Sequence, residues 1–173
     1  MRFRRAGASA AAARQLYDVL VARARAPVFY THFSVPDTID GRFDLLALHA
    51  FLVMDALNAQ GNAGAKVGTE LASVIFAGFD DALRELGVGD FGISRRIKAM
   101  ANAFYGRLEA YRAADSEAAL IPALTRNLYR GEKARGREAA TLAHYILQTR
   151  RHLQDRGAAL LEGELDFGLL PEL

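Results

Sequence analysis

The chain has 173 residues, 51% of them hydrophobic and 24% charged, which is typical of one globular domain, and its lack of cysteine excludes disulfides and zinc–thiolate sites. Its net charge of +2 is uneven, because residues 94–156 hold 13 basic and 6 acidic groups whereas residues 157–173 hold only four acidic ones. No apolar window is long enough to predict a membrane-spanning helix, since Asp44 and Asp55 flank the most hydrophobic run.

The first 35 residues predict one helix followed by an aromatic loop. Residues 1–14 are rich in arginine and free of acids, a pattern shared by organelle transit peptides, membrane-surface anchors and basic helix caps; we favour the cap. Apolar side chains at helical spacing predict a helix from Ser9, its N-cap, to Ala24. Pro27 ends that helix, and the loop beyond it is aromatic.

The next element, at about residues 39–60, is predicted to be the central helix of the fold. Its large apolar side chains point in every direction at 100° per residue, which is typical of a helix buried on all sides. Asp37, Thr38 and Asp40 stand where they can cap the free amides at its start. His49 lies among leucines, so we expect a hydrogen-bonded core residue and not a metal ligand.

The middle of the chain predicts two further helices. After a glycine-rich turn at 60–65, a helix runs to Leu86 and ends at Gly87, a residue suited to left-handed backbone. Apolar positions then recur from Ile97 to Tyr111 at i, i+3, i+4 and i+7, and Ser94 is the expected N-cap of this fourth helix.

The last third predicts a kinked region and one long helix. Pro122 would clash inside a helix, so a turn before it and a fresh helix over 122–130 are expected. A long helix follows at about 136–156, and the apolar, acidic tail 157–173 holds at most one short helix. Altogether we expect an all-α, single-domain bundle of six to seven helices around the central one.

Motifs that suggest catalysis are isolated. The G-x-G-x-x-G match at 87–92 follows a helix instead of a strand, so the dinucleotide-binding context is missing. The histidines form no zinc-binding spacing, and Asp37, Asp40 and Asp44 are better explained as helix caps and partners of Arg42 than as an acid–base pair. We therefore predict no catalytic residues, no metal and no cofactor.

Three blocks resemble successive segments of the ubiquinol–cytochrome c chaperone family, the Cbp3-type assembly factors of alphaproteobacteria and mitochondria. They read FYTHFSVPDTIDGRFDLLALHAFLV, DDALRELGVGDFGISRRIKAMANAFYGRLEAY and ALTRNLYRG, and the family-like region covers about 16–151. The matching positions are Pro36, Asp37, Thr38, Asp40, Gly41, Arg42, Phe43, Asp44, Leu86, Gly87, Val88, Gly89, Asp90, Lys98, Met100, Phe104, Tyr105, Gly106, Arg107, Tyr111, Asn127, Leu128 and Tyr129.

The resemblance implies a non-enzymatic chaperone for assembly of the cytochrome bc1 complex. Its implied partners are newly made cytochrome b or other bc1 subunits, with the ribosome or an anionic membrane surface as further options. Mitochondrial members carry a long N-terminal extension that this chain lacks, so we expect a bacterial protein of the cytoplasm, with peripheral attachment to the inner membrane left open. The oligomeric state is not predicted.

Candidate contact residues combine the resemblance with the physical need for an apolar groove bordered by charge. For the client or partner they are Phe29, Tyr30, Phe33, Asp37, Asp40, Arg42, Phe43, Phe104 and Tyr105. For phosphate, RNA or lipid headgroups they are Arg95, Arg96, Lys98 and Arg107.

Three alternatives stay open for these residues. The aromatic ones also fit ordinary core packing, and the basic ones a solvated face. A lipid- or small-hydrophobe-binding bundle at the membrane surface would instead have an enclosed apolar pocket. A helical enzyme would bring histidines and carboxylates within hydrogen-bonding distance of each other in a cleft.

Overall fold

The computed structural model describes the backbone of residues 2–132 and 135–172, and the side chains in these ranges except those of 2–6, 90 and 91. The described residues form helices and no strand, which confirms the predicted all-α class. Six helices have eleven residues or more, and two are short. The elements are α1 (Arg2–Ala24), α2 (Pro27–Thr31), α3 (Ile39–Asn58), α4 (Gly61–Glu85), α5 (Asp90–Arg112), α6 (Glu117–Asn127), α7 (Gly136–Asp155) and α8 (Gly157–Leu160).

Helix α3 is the centre of the bundle, as predicted. It contacts α1, α4, α5 and α7, and its large apolar side chains from Leu45 to Leu57 are buried apart from the half-buried Leu46. The Thr38 hydroxyl accepts a hydrogen bond from the Gly41 amide at 3.1 Å, which confirms the predicted cap. A Cβ at Gly41 would collide with the Pro36 carbonyl, so only glycine allows this close approach.

The other long helices surround α3 in two groups. Helix α1 packs mainly on α4, and α4 also contacts α5, while α6 packs on α7 at the other side of the bundle. The polypeptide after α8 runs without regular structure, and Phe167 of this tail is buried against the ring of His49 at 5.4 Å between centroids. Helices from both groups, together with the tail, therefore enclose α3.

Several predicted helix boundaries are wrong. Helix α1 begins at Arg2 instead of Ser9, because the alanine-rich run favours continued helix over a cap. Helix α5 begins at Asp90 after the extended Gly89, so Ser94 lies inside it. The glycine-rich turn is shorter than expected, since α4 already starts at Gly61.

Two proline regions also differ from the sequence prediction. Pro27 does end α1, but it also opens the short helix α2 where a loop was expected. Pro122 lies within α6 as its sixth residue, and the helix ends at Asn127. That position is tolerated because the proline forfeits only the bond to the Ala118 carbonyl, close to the amides that lack intrahelical partners anyway.

Candidate functional site

The main surface feature is a groove of about 1050 Å³ between α1, α3, α4 and α5. We call it the client groove, after the role proposed for it below. Its apolar lining comes from all four helices: Tyr17, Val21, Ala24, Ile39, Phe43, Leu46, Phe79, Ala82, Leu83, Leu86, Ala99, Met100 and Ala103. Its charged lining residues are Arg25, Asp40, Arg42, Glu85, Arg96, Arg107 and Arg130.

Two of the apolar lining residues are largely exposed to water. Ile39, the first residue of α3, keeps 62% of its surface accessible, and Leu86, just beyond α4, keeps 57%. Phe43 and Phe79 lie below them with ring centroids 5.4 Å apart, and the Arg107 guanidinium stands 5.0 Å from the Phe43 ring. Exposed large apolar groups beside a groove are typical of a surface that contacts another molecule.

A buried ion network lies at one end of the client groove. The Asp44 carboxylate is fully buried, and its two oxygens lie 2.7 Å from Arg107 Nη2 and 3.3 Å from Arg130 Nη2. Arg130 also pairs with the exposed Asp40 at 3.2 Å. Burial raises the pKa of Asp44, and the two guanidiniums oppose that rise. The network joins α3 to α5 and to the segment after α6.

The backbone around Arg130, which pairs with Asp40 and Asp44, has an unusual conformation. Arg130 has a φ of 51°, a left-handed conformation unusual for a residue with a side chain, and Gly131 follows with a φ of 85°. One residue earlier, the buried Tyr129 donates its hydroxyl to the Phe33 carbonyl at 3.0 Å. The NLYRG block thus fastens the loop before α3 and places Arg130 at the groove.

One ion pair near the groove is fully at the surface. Arg42 donates to Asp37 at 2.7 Å, with more than half of both side chains accessible, and this hydrogen bond lowers the pKa of Asp37. Exposed pairs of this kind contribute little to stability. The charged residues around the start of α3 therefore form two sets, the exposed Asp37–Arg42 pair and the buried Asp44 network.

The structure corrects part of the predicted contact set. Phe29, Phe33 and Phe104 are fully buried, because they fill the interior below α3 and between α4 and α5, so none of them presents a surface to a partner. Tyr30 is half-buried and donates to the Ala24 carbonyl at 2.9 Å. Core packing, the alternative considered from the sequence, is the correct description of the three phenylalanines.

The remaining predicted residues fall into three groups. Phe43, Asp40, Arg42, Arg96 and Arg107 line the client groove. Tyr105 is 49% exposed, but it lies on the other side of α5 beside Phe76, in a smaller depression of about 680 Å³. Arg95 and Lys98 are exposed on α5 and line neither cavity.

Sequence reasoning missed several groove residues. Ile39, Phe79, Leu83, Arg25 and Arg130 line it, yet none was a predicted contact. Phe79 and Leu83 lie on the apolar stripe of α4 and are themselves buried, so the sequence pattern alone does not show that they border a groove. Arg130 had a signal in the sequence, because it lies in ALTRNLYRG, one of the three blocks that carry the family resemblance.

His49 belongs to the core, as predicted. Its Nδ1 donates to the Leu45 carbonyl at 2.8 Å, and its Nε2 accepts from the Tyr145 hydroxyl at 3.1 Å. Burial lowers the pKa of His49 to about 4, so the imidazole is neutral. Within residues 2–132 and 135–172, no group of three histidine or acidic side chains is placed to hold a metal ion.

Comparisons with known proteins identify the family. The sequence model described as "Ubiquinol-cytochrome C chaperone" matches residues 31–167. The chain is 23% identical over 165 residues to ubiquinol-cytochrome-c reductase complex assembly factor 1 of Xenopus laevis, covering 93% of this chain and 82% of that protein. The fold is similar to that in the crystal structure of the Cbp3 homolog from Brucella abortus, with a TM-score of 0.82. The two sequences are 38% identical, and the match covers 95% of this chain and 94% of the other. The chain therefore belongs to the ubiquinol–cytochrome c chaperone family.

Proposed function

We propose that this protein assists assembly of the cytochrome bc1 complex by holding an apolar segment of newly made cytochrome b, or of another bc1 subunit, in the client groove. The observation that carries the proposal is the groove itself, an open apolar surface with Ile39 and Leu86 exposed at its edge. A membrane protein that has not yet been inserted exposes apolar helices that water solvates poorly. A groove of this kind covers such a helix on one side.

The mechanism that we propose is binding without a chemical step. The groove offers aliphatic and aromatic side chains along its floor, and guanidinium and carboxylate groups at its rim. The apolar floor would supply the affinity, and the rim would keep the unoccupied groove hydrated and separate from other copies. Release would follow when the client helix finds better apolar burial in the bilayer or in its complex.

The openness of the groove favours this function over storage of a lipid. A small-hydrophobe carrier encloses most of its ligand, whereas lining residues such as Ile39 and Leu86 are more than half exposed.

Contact of Arg95, Arg96, Lys98 and Arg107 with ribosomal RNA or anionic lipid stays a prediction. None of the helices in the described part of the chain is long and apolar enough to cross a bilayer. We propose a cytoplasmic site of action, peripheral to the inner membrane where the client is inserted.

Crosslinking in cells tests the proposal directly. A photoreactive amino acid is placed at Leu86 or Ile39, in the groove, and in a control variant at Leu169, which is 90% exposed in the tail. We expect the two groove positions to yield adducts with cytochrome b or another bc1 subunit, identified by mass spectrometry. Equal adducts from Leu169, or none with a bc1 subunit from the groove, would contradict the proposal.

A further inference from the structure

We infer that the client groove selects an apolar segment followed by acidic residues, and that the acidic end lies toward Arg96, at the end of the groove formed by the α4–α5 connection. The inference rests on the proposed function and specifies the chemistry of the client. It follows from which of the groove's charges are already neutralised within the protein and which are not.

The charges at the Asp44 end of the groove are satisfied internally. Arg107 faces the Asp44 carboxylate at 2.7 Å, and Arg130 bridges Asp40 and Asp44 at 3.2 and 3.3 Å. Two cations therefore meet two carboxylates. A client carboxylate at this end would have to compete with groups already in contact, and a client cation would meet carboxylates already paired.

Of the other cations in the lining, Arg42 is paired with Asp37, whereas two more have no such partner. Arg25 and Arg96 are exposed, and neither has an ion-pair partner among the described side chains. Glu85 is the one carboxylate of the lining outside the Asp44 network, so Arg25 and Arg96 together leave one positive charge in excess in this part of the lining. Arg95 and Lys98 lie on the same turns of α5 outside the groove and add to the positive potential, as does the N-terminal end of α5, whereas the exposed Asp81 of α4 opposes it.

The spacing of the charged positions sets the length of the segment. Arg96 and Arg107 stand at opposite ends of the α5 wall and are eleven residues apart, or about 16 Å along a helix. The groove thus accommodates about three helical turns of client, which at 1.5 Å per residue is about eleven residues. Acidic residues placed just beyond one end of such a stretch reach Arg96, whereas the other end meets the neutralised network.

Synthetic peptides test this selectivity with the full chain. Three fluorescein-labelled helical peptides share one eleven-residue Leu–Ala stretch and carry three Glu, three Gln or three Lys at one end. We expect the Glu peptide to bind about fivefold more tightly than the Gln peptide in 50 mM salt, measured by fluorescence anisotropy, and the Lys peptide to bind most weakly. The preference should shrink at 500 mM salt, because the charges are exposed.

Matched variants locate the preference on the protein. We expect Arg96→Ala to abolish the advantage of the Glu peptide over the Gln peptide, so that the ratio of the two affinities falls from about fivefold to about one. Arg151→Ala, which removes an exposed guanidinium of α7 outside the groove, should leave the preference intact. A photoreactive group on the glutamate end should crosslink beside Leu86 and not beside Arg130.

The possible failures are distinguishable. Equal binding of the three peptides, or an Arg96→Ala variant that keeps the preference, overturns the charge selection and leaves the apolar groove function standing. Binding of anionic vesicles through Arg96 without peptide selectivity would assign these cations to a membrane and likewise overturn the inference. Failure of every peptide to bind, together with no groove crosslinks to a bc1 subunit, would refute the proposed function itself.

Discussion

Asp44 and His49 are two buried titratable side chains of α3, and their partners satisfy them in different ways. Asp44 meets two guanidiniums at the edge of the client groove, whereas His49 meets a carbonyl of its own helix and the Tyr145 hydroxyl of α7. Two guanidiniums hold the Asp44 carboxyl group, whereas hydrogen bonds hold the neutral His49 imidazole.

The environment of His49 predicts a pH-dependent stability. The folded pKa of about 4 lies below the ordinary 6.5, so the unfolded chain binds more protons than the folded one between these values. This contribution is fully present above pH 6.5 and is lost as the pH falls toward 4, by about 3 kcal/mol in total. Urea unfolding at pH 7.0, 5.5 and 4.5 measures the loss.

A variant separates this effect from the titration of carboxylates. His49→Gln cannot ionise, although it keeps hydrogen-bonding groups for Leu45 and Tyr145. We expect it to be less stable than the wild type at pH 7 and to have a flatter stability profile between pH 6.5 and 4. Parallel profiles for the two proteins would show that the His49 imidazole does not resist protonation.

The sequence predicted the burial of His49 correctly, but it did not distinguish the buried Phe104 from the exposed Tyr105, and the difference has a physical reason. A lone imidazole among leucines on a helix that is apolar all round has no route to water, so its burial follows from local pattern alone. Phe104 and Tyr105 are adjacent on α5 and point about 100° apart, so one enters the core and the other stays outside. Which of them faces outward depends on where α3 and α4 pack.

At the scale of elements, α3 was the most predictable helix and the groove walls the least. The apolar pattern of α3 and its Thr38 cap are local properties, and both are confirmed. The walls come from α1, α4 and α5, and their apolar lining is surface that the packing of these helices leaves uncovered. The surplus apolar surface is the groove, and no single helix pattern reveals it.

The central position of α3 predicts the cost of removing its side chains. Leu52 is completely buried in the middle of the helix, so Leu52→Ala should lower the free energy of unfolding by about 2–5 kcal/mol. Leu86→Ala removes the same atoms from a residue that is more than half exposed, and should lower it by less than about 1 kcal/mol. Chemical denaturation of both variants provides the comparison. Similar losses for the two would contradict the assignment of Leu52 to the core and Leu86 to an available surface.

At the scale of the whole molecule, the core and the groove are built by different parts of the same helices. The buried face of α4 packs on α1 and α3, while Ala82 on its exposed side lines the groove. Stability and the proposed client binding should therefore respond to different substitutions. An exposed alanine in the groove can be enlarged without disturbing the interior.

This separation predicts a variant that folds but does not support assembly. Ala82→Trp places an indole in the groove, where it would occupy the space proposed for the client. In cells whose respiration depends on the bc1 complex, we expect at least a threefold lower level of assembled complex at normal levels of the variant. Ala77→Trp is the matched control, because Ala77 is also an exposed alanine of α4 but lines neither the groove nor the depression beside Tyr105. Both variants add the same surface indole, but only Ala82→Trp adds it where the client is proposed to lie. Normal assembly with Ala82→Trp, or an equal defect with Ala77→Trp, would therefore show that assembly does not depend on the groove.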